Sequence, residues 1–263
     1  MNSGYSDHGS SATTRPSTTT QPLLTGQALE VGYRKRPILP PVDVTIGRGE
    51  FWVVLGRNGS GKTTLFRTLL GLLPPVAGRV RRGRRRLRLS YLPQQGVFDS
   101  HQPLRARDMV AQGCDRDWSF LRPRWSLPAV VAQSLEEVGI ETLADRPFHA
   151  LSEGQKQRVL LARLAASRPD VGFLDEPTAA MDIVAERESF AFLDSFRRQH
   201  DSAVVVVSHY LGLAQEYADY VMVIDAKGQQ VTVGTPQQVP LGPLSLPREG
   251  RTKLNSHGDD HVG

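Results

Sequence analysis

Three short apolar runs, Phe51–Leu55, Val171–Leu174 and Ala203–Val207, punctuate the chain, each bounded by turn residues. Unbroken runs rich in β-branched residues suit strands buried on both faces, as in a parallel sheet covered by helices. Helical periodicity follows the first two. Lys62 to Leu73 sets Leu65, Phe66, Leu69, Leu70 and Leu73 on one stripe, and Pro74-Pro75 ends it. Asp182 to His200 sets Ile183, Phe190, Leu193 and Phe196 at helical spacing, with Asp182 placed to cap the start. Another helix opens at Ser152, where Ser152 and Gln155 form a capping box ahead of Val159, Leu160 and Leu164; Arg168-Pro169 closes it. Strands alternating with helices predict a doubly wound, mainly parallel α/β sheet.

Elsewhere the pattern changes. Residues 29–55 and 79–92 alternate more, which predicts antiparallel strands beside the main sheet. Between about Leu104 and Ala150 lie two or three shorter helical patterns and no strand signal, the mark of an inserted helical unit. Residues 1–27 and 241–263 hold mainly Ser, Thr, Gly, Pro, Gln and scattered charges, so flexible tails are expected around a folded domain at 28–240.

Composition narrows the class. A chain of 263 residues buries a sizeable core without disulfide or metal staples. Its longest aliphatic run, Ala203–Val207, falls far short of the roughly 20 residues a membrane-spanning helix needs. No charged-then-apolar leader opens the sequence, so a cytoplasmic chain is expected. The single cysteine, Cys114, rules out an intrachain disulfide framework and a cysteine-based zinc cage, and suits a small buried hydrophobe. Net charge is +5, and seven arginines lie between Arg79 and Arg88. Such a run fits an exposed basic hairpin better than a nucleic-acid site, because charge alone names no ligand.

Chemistry enters with Gly56-Arg57-Asn58-Gly59-Ser60-Gly61-Lys62-Thr63, a complete G-x-x-x-x-G-K-[ST] motif between a predicted strand and a predicted helix. Glycines let the backbone turn its N–H groups onto an anion, and the helix start adds its positive dipole end. Lys62 is expected to reach the β- and γ-phosphates, Thr63 to hold Mg²⁺, and Thr64 to line the nucleotide site. Phe173-Leu174-Asp175-Glu176 supplies a second half: an apolar strand ending in two acids. Asp175 there suits an Mg²⁺ ligand through water, and Glu176 a general base for the attacking water.

The chain resembles the ATP-binding subunits of ABC transporters. The resemblance rests on Leu151-Ser152-Glu153-Gly154-Gln155, a match to the family's LSGGQ signature with Glu at the variable third place, followed by Lys156-Gln157-Arg158-Val159. It covers roughly residues 28–240. It implies a P-loop NTPase core with helices on both faces of the sheet, an antiparallel β-subdomain and a helical subdomain at about 97–150. It also implies the cofactors ATP and Mg²⁺. Tyr33 occupies the place of the aromatic that stacks on adenine, although a lone strand tyrosine also suits a core. Gln94, with Gln95 beside it as an alternative, resembles the Q-loop glutamine that touches Mg²⁺ and water. Asp182 in Ala179-Ala180-Met181-Asp182 resembles the D-loop acid. His209 resembles the switch histidine that contacts the γ-phosphate, with Tyr210 where Asp is common. Gly172 departs from the large aliphatic residue usual at its place.

In the family, two subunits pack head to tail, each signature closing on the ATP held by the other, which implies a homodimer or a paired ATPase subunit. The helical insertion is where membrane permease subunits dock. The short link from Gly78 to Tyr91 is similar to ATPases of zinc, manganese or iron importers, which implies a substrate-binding protein in the same system and a place on the cytoplasmic face of the membrane. An exporter's ATPase subunit and a non-transport ABC ATPase are the alternatives.

Overall fold

The computed structural model describes residues 22–94, 104–114, 128–177, 183–225 and 230–239. The described residues open with β1 (Pro22–Glu30), a short hairpin of β2 (Gly32–Tyr33) and β3 (Arg36–Pro37), and β4 (Val42–Gly47). The first buried run forms β5 (Phe51–Gly56), followed by α1 (Lys62–Leu70), β6 (Ala77–Arg82) and β7 (Leu89–Leu92). Short helices α2 (Ala106–Ala111) and α3 (Ala129–Glu137) precede the longer α4 (Glu153–Ala166). Then come β8 (Val171–Leu174), α5 (Ile183–His200), β9 (Ala203–Val207), α6 (Leu211–Tyr217), β10 (Tyr220–Ile224) and β11 (Val231–Gly234).

The main sheet runs β11-β10-β5-β9-β8-β7, parallel except for the antiparallel β10–β11 pair. Its central strands β5, β9 and β8 bury both faces by strict alternation. Phe51, Val53 and Leu55 of β5 join Val204 and Val206 of β9 against α2 to α6, while Trp52, Val54, Val205 and Val207 pack against α1 and the strands β1 and β4. A second sheet, β4-β1-β6, is antiparallel, as the alternating pattern predicts. The parallel α/β core, the antiparallel β-subdomain and the inserted helices are therefore all present.

Several expectations need correction. Residues 22–27 belong to β1 and not to a tail, because the β1 residues Leu23 and Leu24 are buried in the core. Residues 89–92 lie in the main sheet, parallel to β8; their alternation arises because β7 is an edge strand with partly exposed positions. Helix α1 stops at Leu70, not Leu73, since Gly71 adopts a left-handed φ of 81° and its N–H turns back to the carbonyls of Arg67 and Thr68. Gly172 leaves no packing gap: a Cβ there would lie 3.2 Å from Leu164 Cδ1, so Leu164 of α4 fills the place of a side chain. Cys114 is half-buried, packed against the core. Asp182, Gln95 and residues 1–21 and 240–263 fall outside the described residues.

Much of the arginine run is structural. Arg82 donates to Leu70 O at 3.2 Å and Arg79 to Gln27 Oε1 at 2.8 Å. Arg84 and Arg88 pair with buried Asp170. Burial raises the Asp170 pKa, but the Arg88 backbone N–H and the two guanidiniums outweigh it and leave the pKa below the ordinary range.

Candidate active site

Neighbouring strands β5, β9 and β8 end side by side, and their carboxyl ends carry the loop at residues 56–63, Ser208-His209, and Asp175-Glu176. This is the edge where open α/β sheets bind ligands. The first residue of the loop tolerates no side chain: a Cβ on Gly56 would lie 2.7 Å from Ser60 Oγ and 2.8 Å from Ile224 O. Gly59 and Gly61 take φ values of 78° and 103°, which only glycine adopts without strain. Gly61 also serves as the N-cap of α1, with no side-chain cap, so the first helical N–H groups face the loop.

Lys62 is buried. Its Nζ donates to Gly56 O at 2.8 Å and Arg57 O at 3.0 Å, and it ion-pairs with Glu176 Oε1 at 3.3 Å. Glu176 is the hub of the site. Gln94 Nε2 donates to its Oε2 at 2.8 Å, and His209 Nε2 stands 3.0 Å from its Oε1. The His209 hydrogen bond, with help from Lys62, outweighs burial and holds the Glu176 carboxyl below its ordinary pKa. The residue sits at φ 48°, a left-handed conformation that costs a non-glycine residue on the order of 1–2 kcal/mol.

Asp175 beside it is also buried, and here burial dominates and raises the pKa despite hydrogen bonds to Thr63 and Tyr91. Tyr91 Oη donates to Asp175 Oδ2 at 3.2 Å; burial and that neighbouring carboxylate push the phenol up to about 12. Tyr91 is a site residue that motif reading passes over, although it stands three positions before Gln94. Tyr33, 48% exposed on β2, brings its hydroxyl within 3.3 Å of Thr64 Oγ1, so it belongs to this cluster and not to the core.

Leu151 to Gln155 lie elsewhere. Among the described residues, no hydrogen bond or ion pair joins them to the phosphate loop. Leu151 is buried, the Ser152 and Gln155 side chains cap each other's backbone N–H groups, and Glu153 pairs with Lys156 at 2.7 Å. The capping box read from the sequence is thus formed.

The site's donor set fits a magnesium nucleotide. Ser60 Oγ is buried without a hydrogen-bond partner, the α1 start and Lys62 offer positive donors, and Thr63, Asp175 and Gln94 offer oxygen atoms. Among the described residues no cluster of three or more His, Cys, Asp or Glu side chains could hold a metal ion by itself. A glycine cradle, a buried lysine and paired acids at the end of a strand one removed from β5 define a P-loop ATPase.

A profile of the ABC transporter family matches residues 39–179, and the chain belongs to that family of ATP-binding, ATP-hydrolysing proteins. It is 37% identical over 221 residues to the zinc import ATP-binding protein ZnuC of Cereibacter sphaeroides, covering 84% of this chain and 86% of that one. Identity is 34% over 200 residues to the manganese transport system ATP-binding protein MntB of Bacillus subtilis, covering 74% and 80%. The fold resembles that of cbiO1 from Clostridium perfringens, part of the ABC transporter complex cbiONQ, with TM-score 0.68, 28% identity and coverage of 82% and 90%. Among the described residues no helix is long and apolar enough to cross a membrane.

Proposed function

We propose that this chain is the ATP-hydrolysing subunit of an importer for a divalent metal ion or metal chelate. It drives separate permease subunits from the cytoplasmic face of the membrane, in a system fed by a substrate-binding protein. The observation that carries the ATPase half is the Glu176 carboxylate, gripped by Lys62, Gln94 and His209 beside the phosphate loop. The transport half rests on likeness to relatives named for zinc import and manganese transport.

In this reading the backbone N–H groups of residues 56–63 wrap the phosphates, Lys62 leaves its carbonyl partners for the β- and γ-phosphates, and Tyr33 stacks on adenine. Thr63, Asp175 and Gln94 hold Mg²⁺, which supplies charge neutralisation at the phosphates. Glu176, ionised at neutral pH and aimed into the site, takes the proton of the attacking water. His209 contacts the γ-phosphate and steadies Glu176. Ser152 and the start of α4, residues Leu151 to Gln155, close on the nucleotide of a second subunit, with Asp182 beside that interface.

The test expresses a tagged chain with the membrane proteins encoded beside it. Co-purification of a permease, Mg²⁺-dependent ATPase activity and loss of radiolabelled zinc or manganese uptake in a Lys62→Ala strain are expected. ATPase activity stimulated by DNA or ribosomes, with no permease partner, overturns the transport reading; solute efflux in place of uptake makes it an exporter.

A further inference from the structure

One buried acid stands outside the machinery so far described. Glu186 lies in the first turn of α5 and is 2% exposed. Its Oε1 accepts a hydrogen bond of 2.6 Å from Ser208 Oγ, itself buried at the end of β9. The same hydroxyl accepts from the backbone N–H of Tyr210 at 3.1 Å. Ser208 N donates to Val54 O at 3.2 Å, which ties the residue to β5 just before the phosphate loop. Thus Ser208 anchors both sides of the three-residue turn Ser208-His209-Tyr210, and the residue inside that turn is His209.

We propose that Glu186 is a positioning residue for His209, acting through Ser208 to fix the turn that presents the imidazole to Glu176. Burying a carboxylate costs several kcal/mol unless charge-assisted hydrogen bonds repay it. Packing alone is served more cheaply by an apolar side chain, so an acceptor oxygen buried here points to a directional demand. The charged acceptor orients the Ser208 hydroxyl, leaving its lone pair for the Tyr210 N–H. With that hydroxyl free to rotate, the turn loses its anchor and the 3.0 Å approach of His209 to Glu176 loosens. A displacement of under 1 Å at such a contact can cost a large factor in rate.

The inference rests on the role proposed above for His209, and the experiment separates the two. Full-length Glu186→Ala, Glu186→Gln, Ser208→Ala and His209→Ala proteins are compared for kcat, for KM of ATP, and for the His209 ring ¹H–¹⁵N correlations without nucleotide. Glu186→Ala is expected to lower kcat about tenfold with KM within about twofold, and to move the ring signals. Glu186→Gln retains an acceptor oxygen and restores kcat to within about threefold of the parent. Ser208→Ala matches Glu186→Ala, and a protein carrying both Glu186→Ala and Ser208→Ala loses little more than either, as for two links of one chain. Should Glu186→Ala fail to fold, Ser208→Ala, which removes one hydroxyl, carries the test. If His209→Ala is impaired while Ser208→Ala keeps both its kcat and its ring signals, the positioning role is wrong. Equal losses in Glu186→Gln and Glu186→Ala also overturn it. If His209→Ala keeps full activity, the role of His209 itself falls.

Discussion

Helix α1 starts with Gly61 as its N-cap, without a side-chain cap and without an acidic residue in its first turn. Helix α4 starts with Ser152 and Gln155 capping each other, and with Glu153 in its first turn. Both are anion-binding ends by geometry, yet the first leaves its N–H groups for a ligand and the second satisfies its own. The first is therefore built to hold phosphate within a single chain. The second gains from phosphate only what remains after its caps are displaced, which suits a surface engaged when another subunit's nucleotide arrives.

Glu176→Gln tests the α1 side most severely: kcat falls by about 10²–10³-fold while ATP affinity stays within about threefold, measured by steady-state turnover and nucleotide titration. Next comes Gly61→Ala. A residue at φ 103°, with Leu39 Cγ 3.2 Å from the added Cβ, distorts the helix start and weakens ATP binding about tenfold, read by calorimetry. At α4, Ser152→Ala costs about 1 kcal/mol in urea unfolding and leaves ATP affinity of the monomeric protein unchanged. A loss of monomer affinity there sinks the contrast between the two helix starts. Smallest is Tyr91→Phe, which frees Asp175 of one donor and raises the Mg²⁺ needed for half-maximal activity about threefold.

Acidity sharpens the same contrast. The Asp175 pKa is raised, so falling pH protonates it before an ordinary aspartate, whereas Glu176, with its lowered pKa, stays ionised further into acid. Magnesium-dependent ATPase activity is expected to fall on the acid side as Asp175 protonates, at a higher pH than an ordinary aspartate would impose. Ser152, having no ionisable group, gives the α4 cap no such dependence. The pH–rate profile of Tyr91→Phe, set beside that of the parent, measures the shift.

The sequence announced the phosphate loop, the paired acids and the capped signature helix because each is a local pattern with its own turn, strand end or cap. It also carried the order of strands and helices. What it withheld depends on contacts between distant segments. Tyr91 and Asp175 meet only because β7 pairs with β8 in the register Tyr91↔Phe173, and nothing near either residue records that pairing. Ser208 and Glu186 join a strand end to a helix start in the same way. Leu89–Leu92 misled because an edge strand alternates like an antiparallel one. The tail boundary was missed because Leu23 and Leu24 are too few to signal a strand amid small polar residues.

The order of the three central strands has a consequence for synthesis. The phosphate loop leaves the ribosome early, but β9, which separates β5 from β8 and brings His209, emerges late. Pairing of such sequence-distant strands is slow and cooperative. A nascent chain halted before Ala203 therefore lacks the wedge that sets its acids beside its loop, and is expected to turn over no ATP. Hydrolytic capacity thus waits on β9, sparing the cell a half-made engine that idles on fuel.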